Sequence, residues 1–381
     1  MEREKKRVLV MIDWFDPAYK AGGPIRSCVN FINHFHNEFE LFVLTGNTDL
    51  DSDQPLAGIE SNCWSNYKNK ASIMYLPVAE LSKTKLLSII NETNPDYLYL
   101  NSLYSKKFTL LPLWLKTTGR IQTKMVLAPR GMLKSSALAF KSTKKNFFLR
   151  LMRMSGVPRT IRFQATDEQE YNDIIKHFRE ADVVLAPNLP GAIDKAPVSL
   201  QKRSGELKMI FVGRIHPIKN LHYLLRLLRE VKGKLSLSVI GVTENASYWQ
   251  ECLAIINSLP GSVEVNYLGE LSHEKILEQV KEHHLLGLPT LGENFGHAIF
   301  ESLSSGRPVL ISDQTPWRCL ENQKAGWDIS LSSPDLFLSS LNQALQWNQQ
   351  EFEEWASGAL GAAKKFLEQS SAKENYLKLF N

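Results

Sequence analysis

The stretch GENFGHAIFESLSSGR, Gly292 to Arg307, decides how this chain is read. It follows a short apolar run, Leu285 to Leu288, which reads as a buried strand ended by Pro289, with Thr290 to Gly292 as a turn. From Glu293 onward, Ala298, Ile299 and Leu303 recur at helical spacing and can form one apolar face. Glu301 stands eight residues after Glu293, slightly more than two helical turns. One carboxylate is then expected at the loop mouth and the other inside the helix, near one face. The backbone N–H groups of Phe295, Gly296 and His297 fall at the helix N-terminus, a favourable place for an anion. A loop carboxylate, a helix N-terminus and a second carboxylate suit a sugar, a phosphate and a ribose. The plainer alternative is a helix with one capping and one solvated Glu; the segments around it favour the first reading.

Upstream, Leu207 to Val212 reads as a strand, followed by GRIHPIKN and a helix from Leu221 to Val231. Arg214 and Lys219 flank that loop at the carboxyl end of a strand. Arg can fork to a diphosphate and Lys can stand beside it as a point charge. The alternative is a pair of surface cations, and the strand-end placement favours a site. His216 reads as loop structure. Leu235 to Gly241 and Val263 to Leu268 are further strands, with a helix at Glu270 to Val280. His273 and His283-His284 have no metal-like partners in sequence and read as surface or packing histidines. Val309 to Ser312 is expected to close the strand series, and Leu336 to Trp347 and Glu351 to Leu367 are late helices.

The first half repeats the plan. Arg7 to Ile12 is a strand, followed by a loop holding Gly22-Gly23 and an amphipathic run from Ser27 to Phe35. Two glycines let a backbone come close to a ligand, although such a pair alone is more often a turn. No GxGxxG occurs. Glu40 to Thr45, Ser72 to Leu76, Tyr97 to Asn101, Lys124 to Ala128, Ile161 to Ala165 and Val183 to Ala186 read as strands, alternating with helices such as Leu81 to Asn91, Leu110 to Thr117 and Thr166 to Phe178. In the last of these Thr166 is the candidate cap, with Gln169 at the capping-box position. Such alternation implies parallel sheets covered on both faces, with ligands outside the carboxyl ends of the strands. That rule singles out Asn101 and Arg130, the latter as an anion or hydroxyl contact or else a surface Arg in a turn. Asp51-Ser52-Asp53 lies in a loop where solvated turn carboxylates are the default, so no metal site is assigned.

At 381 residues the chain is long enough for two domains. We expect domain one at 1–188, a linker at 189–205 and domain two at 206–365, with 366–381 packing back on the first. The four cysteines form no CxxC pair and suit a reducing cytoplasm. The basic N-terminus leads into a short strand and does not read as a signal peptide. Net charge is +5, which with no recognition motif argues against nucleic acid. Residues 134–162 hold eight Lys and Arg and no Asp or Glu, with Phe, Leu and Met interleaved. Such a segment either lies on an anionic membrane surface or packs its apolar face on the sheet and shows solvent a basic one.

Taken together and in order, these segments resemble a family 4 glycosyltransferase of the GT-B fold: two Rossmann-like parallel-sheet domains facing across a cleft. Gly22-Gly23 matches the family's glycine loop near the donor diphosphate, Arg214 and Lys219 its basic pair, and Glu293 and Glu301 its Glu-x7-Glu signature. FGHAIFESLSSGRPVLISDQTPW is similar to its longest motif, and VLAPRGML with the basic segment resembles a subgroup that builds bacterial surface polysaccharides. The resemblance implies sugar transfer from a UDP- or GDP-linked sugar to an acceptor hydroxyl with retention, without a cofactor or obligatory metal. Glu293, Arg214 and Lys219 would carry the chemistry. Gly22, Gly23, Glu301, Asn294, Phe295, Gly296, His297, Arg130 and Asn101 would bind the donor. The acceptor would be a saccharide, a lipid-linked one included, and the protein cytoplasmic or peripheral on the inner face of the cell membrane. The chain departs from the family at Asn101 and Arg130, where many members carry a His, and at His297. Alternatives are a GT-B epimerase or phosphorylase, and a non-catalytic nucleotide-sugar binder.

Overall fold

The alternation of strand and helix builds two α/β units in the computed structural model, which describes residues 5–134, 142–191, 193, 199–369 and 372–381, without the side chains of 142–144 and 369. One unit comprises residues 1–189 and 371–381, the other 190–370.

In the first unit, β1 (Lys6–Met11), β2 (Phe39–Gly46), β3 (Trp64–Tyr67), β4 (Ala71–Leu76), β5 (Tyr97–Leu100), β6 (Lys124–Leu127), β7 (Arg162–Ala165) and β8 (Asp182–Leu185) form one sheet in the order β3-β4-β2-β1-β5-β6-β7-β8. All pairings are parallel except β3 with β4. The half-exposed edge strand β3 is absent from the sequence reading because its residues WSNY carry too little apolar character to stand out. The helices are α1 (Gly23–Phe35), α2 (Lys83–Thr93), α3 (Leu111–Thr117), α4 (Ser142–Met154) and α5 (Glu168–His177). Val8 and Val10 point to one face of β1, with Phe31 and Phe35 of α1 and Tyr376 and Phe380 from the chain's end. Leu9 and Met11 point to the other face, with Leu86, Leu113, Leu149 and Ile174. Both sheet faces are therefore buried, as a parallel sheet requires. α5 starts one residue later than expected: Asp167 caps it by accepting from the Glu170 N–H at 2.7 Å, and Glu170 reaches back to the Thr166 N–H at 2.9 Å.

In the second unit, β9 (Glu206–Val212), β10 (Lys234–Ile240), β11 (Val263–Gly269), β12 (Leu285–Leu288), β13 (Val309–Ser312) and β14 (Gly326–Ile329) pair in parallel in the order β11-β10-β9-β12-β13-β14. β14, not β13, ends the series. Its first residue, Gly326, has φ +137, and a Cβ there would meet the Val309 carbonyl oxygen at 2.0 Å, so a glycine occupies a strand position that apolar patterning overlooks. The helices are α6 (Leu221–Leu227), α7 (Ala246–Ile256), α8 (His273–Lys281), α9 (His297–Ser304), α10 (Pro334–Gln346) and α11 (Gln349–Gln369). The sequence reading lacks α7, which buries only Tyr248, Cys252 and Ile255 and is capped by Asn245.

The expected boundaries shift at two places. Lys202, placed in the linker, is buried in the second unit, where its ammonium donates to the carbonyls of Arg203, Leu345 and Trp347, each at 2.9 Å. Burial pulls its pKa down to about 8. Phe366 and Leu367 pack on the second core, so the returning segment starts near 371, not 366. Its helix, Ala372–Leu379, buries Tyr376, whose hydroxyl accepts from Gln164 Nε2 at 2.8 Å. Among the described residues, no helix is long and apolar enough to cross a membrane.

Candidate active site

In the second unit the strand order reverses direction between β9 and β12, and such a switch point opens a crevice at the carboxyl ends of the two strands. The loop after β9 carries Arg214 and Lys219, and the loop after β12 carries Glu293. The Leu291 N–H and Thr290 hydroxyl donate to the Ile218 carbonyl, at 2.7 and 2.9 Å, and tie the two loops together. The Glu293 N–H is held by the Gln314 carbonyl at 3.0 Å. Backbone pairing thus fixes the loops before any ligand arrives, and the Lys219 ammonium meets the Glu293 carboxylate in a largely buried ion pair. Arg214 forms a more exposed pair with Glu244, 2.7 Å away, from the loop after β10. That loop approaches closely because Gly241 has φ +148, and a Cβ there would lie 2.0 Å from the Gly213 carbonyl oxygen. His216 acts within the loop, its Nδ1 accepting from the Ile218 N–H at 3.2 Å. Burial lowers its pKa, which agrees with an unprotonated Nδ1.

The helix expected from Glu293 begins four residues later, at His297. Gly296 stops it from starting earlier: it has φ +77, and a Cβ there would meet Ile299 Cδ1 at 2.7 Å. Glu293 and Asn294 are therefore loop residues, and Glu301 lies inside α9 as expected. The Phe295 ring is buried against Phe300, Trp317 and Phe366, and its carbonyl accepts from Trp317 Nε1 at 2.7 Å, so the side chain anchors the loop that carries its backbone N–H, the group singled out in the sequence. His297 packs its ring edge-on to Phe295. His273, read from sequence as a surface or packing residue, stands at the start of α8 with Nε2 2.8 Å from Glu301 Oε1. His273, Glu244 and Gly241, which pair with or pack against the candidate residues, are neighbours that sequence reasoning missed.

In the first unit the switch lies between β1 and β5. Gly22 (φ +65) precedes α1 with no atom within 4 Å of a Cβ built on it, and Gly23 opens the helix. The loop is fixed by buried Asp49, whose carboxylate accepts from the N–H groups of Tyr19 and Lys20, at 3.0 and 3.2 Å. Asp51 and Asp53, two and four residues further on, are exposed. Asp13, just past β1, accepts from the Ser105 hydroxyl at 2.7 Å, and burial raises its pKa.

Arg130 is neither a surface turn residue nor an open anion contact. Its guanidinium donates to the Tyr99 hydroxyl and to Asn101 Oδ1, both at 2.7 Å, and to Asn188. Asn101 is itself buried. These two candidate donor contacts are thus engaged with each other and with Asn188 at the end of the unit's main segment. The turn that holds Arg130 at φ 54 is pinned by the buried Glu170 carboxylate, which accepts from the Gly131 N–H at 2.5 Å. Of the basic segment, Lys141 and Phe140 lie outside the described residues.

Residues 192–355 match the family model described as glycosyl transferases group 1. D-inositol 3-phosphate glycosyltransferase of Rhodococcus erythropolis is 29% identical over 131 residues, 32% of this chain and 30% of the relative. The chain spans less than half the length of the curated relatives it matches. Sucrose-phosphate synthase of Thermosynechococcus elongatus superposes with a TM-score of 0.72 over 99% of both chains at 14% identity. Anabaena HepE, in a complex with UDP-glucose, superposes with a TM-score of 0.65 over 98% of both chains, also at 14% identity. The chain therefore has the GT-B fold, and its second unit carries the sequence pattern of the group 1 glycosyl transferases.

Proposed function

We propose that this protein transfers a sugar from a nucleoside diphosphate sugar to an acceptor hydroxyl, with retention at the anomeric carbon. The observation that carries the reading is the Lys219–Glu293 ion pair across the β9/β12 switch point, with Arg214 on the same loop as Lys219 and Glu301 on the helix that follows Glu293, all inside the segment that matches the family model. Arg214 and Lys219 are each held by a carboxylate. A diphosphate bound there would take over as their partner, and the two cations would neutralise the charge that develops on it as the glycosidic bond breaks. Glu293, released from Lys219, would contact the donor sugar. Glu301, braced by His273, would accept hydrogen bonds from the ribose hydroxyls. The leaving phosphate would take the acceptor proton, so no metal or cofactor is invoked.

The UDP-glucose in HepE supports a uridine-linked donor, with guanosine as the other choice. VLAPRGML and the basic segment support a surface-polysaccharide acceptor, lipid-linked forms included, met at the inner face of the cell membrane. Incubation with UDP- and GDP-linked sugars tests the activity. Release of nucleoside diphosphate, with anomeric NMR showing the starting configuration in the product, is the expected result. Inverted product would remove retention, and release of no nucleotide from any donor would remove the activity.

A further inference from the structure

Helix α4 buries Leu149 and Met152 and turns Phe147, Leu151 and Met154 to solvent. These three residues, spaced four and three apart, lie on one face and are 64, 49 and 73% exposed. The exposed residues Arg150 and Arg153 flank the stripe on the same helix. Beyond it, Arg153 also lines a cavity of about 330 Å³ with Arg159, Lys176, His177 and Arg179, where Glu180 supplies the one carboxylate. Glu180 is spent on Arg159, 2.7 Å away. Arg153 is oriented toward this cavity by donating from Nε to the His177 carbonyl at 3.0 Å. Burial chiefly, with Lys176 and Arg153 nearby and Asp173 opposing them, lowers the His177 pKa.

A solvated face should be polar; this one exposes Phe147, Leu151 and Met154 beside a cationic cavity. We propose that the outer face of α4 and the adjoining cavity form a docking surface for an anionic lipid bilayer. Phe147, Leu151 and Met154 would enter the acyl boundary, and Arg153, Arg159, Lys176 and Arg179 would receive lipid phosphates. Charge complementarity selects the partner: four cations against one engaged carboxylate match a phosphate-bearing surface, and an apolar stripe beside them matches the interface beneath it. This names the surface behind the membrane placement proposed above, and rests on that placement but not on the sugar-transfer chemistry.

The test is sedimentation of the full chain with vesicles of phosphatidylcholine alone, or with added phosphatidylglycerol, at low and high salt. We expect partition onto the anionic vesicles that falls at least about tenfold on phosphatidylcholine alone and in Arg153→Glu/Arg179→Glu. The triple variant Phe147→Ser/Leu151→Ser/Met154→Ser should fall similarly. Melting temperatures report folding, and the charge-reversal pair keeps the test open should the triple variant not fold. Equal binding of wild type and charge-reversal pair, or no binding to anionic vesicles at low salt, would overturn the proposal. So would gel filtration showing a dimer that the triple variant turns into monomer, since the stripe would then cover a second copy. Nucleotide-induced stabilisation, measured on the same variants, should match wild type. Vesicle binding without any nucleotide response would leave this surface standing and overturn the sugar-transfer reading instead.

Discussion

His273 Nε2 lies 2.8 Å from Glu301 Oε1, joining the first residue of α8 to the middle of α9 across two loops of the second unit. A carboxylate can only accept here, so the imidazole donates from Nε2 and fixes one oxygen of Glu301. On the function proposed above, His273 would hold Glu301 for the ribose without touching the donor itself. Loss of a hydrogen bond to a charged group costs about 1.5–3 kcal/mol. His273→Ala should raise the donor KM about tenfold or more, with kcat changed far less, and His273→Gln should recover part of the loss. An unchanged KM in steady-state kinetics would remove His273 from the site.

The two cations should act on the departing diphosphate. Arg214→Ala/Lys219→Ala should lower kcat/KM by about 10³-fold or more, the scale on which preorganised charge contributes to catalysis. Lys219→Ala alone also leaves the Glu293 carboxylate, largely buried, without its cation. Its melting temperature should therefore fall, whereas Arg214→Ala, whose pair with Glu244 is more exposed, should leave stability nearly unchanged. High residual activity in the double variant would sink the charge-stabilisation account.

Gly241 is a structural requirement of the same site. With φ +148 and the Gly213 carbonyl oxygen 2.0 Å from an added Cβ, Gly241→Ala must displace the loop that bears Arg214. We expect a loss of about 2 kcal/mol or more in chemical denaturation, with weaker donor binding. Gly261→Ala, where a Cβ would meet nothing within 4 Å, is the control and should be nearly neutral.

Acid should destabilise the second unit through His284. Its Nδ1 accepts from the Lys208 N–H at 2.9 Å, and its Nε2 donates to the Gln201 carbonyl at 3.0 Å, an arrangement only the neutral ring can make. Burial, with Lys202, Lys208 and Arg307 nearby, pulls its pKa down to about 4 from an ordinary value of 6.5. Between those two values the unfolded chain binds a proton that the folded chain does not, so stability rises with pH across that window and is fully present above it. Denaturation midpoints measured from pH 7 down to 4.5 should fall, by a few kcal/mol in free energy, and the fall should be shallower in His284→Gln. Parallel pH profiles for the two proteins would assign the loss elsewhere.

What the sequence revealed and what it hid follow from how each residue earns its place. Arg214 and Lys219 follow an apolar strand, so strand-end reasoning singles them out, and Glu293 and Glu301 are marked by the apolar run before them and by their helical spacing. His273, at the start of α8, reaches Glu301, and Glu244, from the loop after β10, reaches Arg214; nothing local marks either. Gly241 and Gly326 are dictated by neighbouring backbone, which only the folded sheet brings near. Asn101 and Arg130 also follow strands, and the rule flagged them, but the fold engages Asn101 and the terminal nitrogens of Arg130 with Tyr99, Asn188 and each other, which no local pattern shows. Helix α7 and strand β14 escaped for a simpler reason: one buries a narrow stripe, and the other opens on a glycine.

The central claim is that the β9/β12 switch point binds a nucleoside diphosphate through Glu301 and the two cations. Thermal-shift measurement with UDP, GDP and ADP and their common sugars, with and without magnesium, tests it most directly, because a ligand that binds only the native state raises its melting temperature by mass action. The account predicts stabilisation by one nucleoside diphosphate, independent of magnesium and lost in Glu301→Ala. No shift with any nucleotide, or a shift that survives Glu301→Ala unchanged, would contradict it.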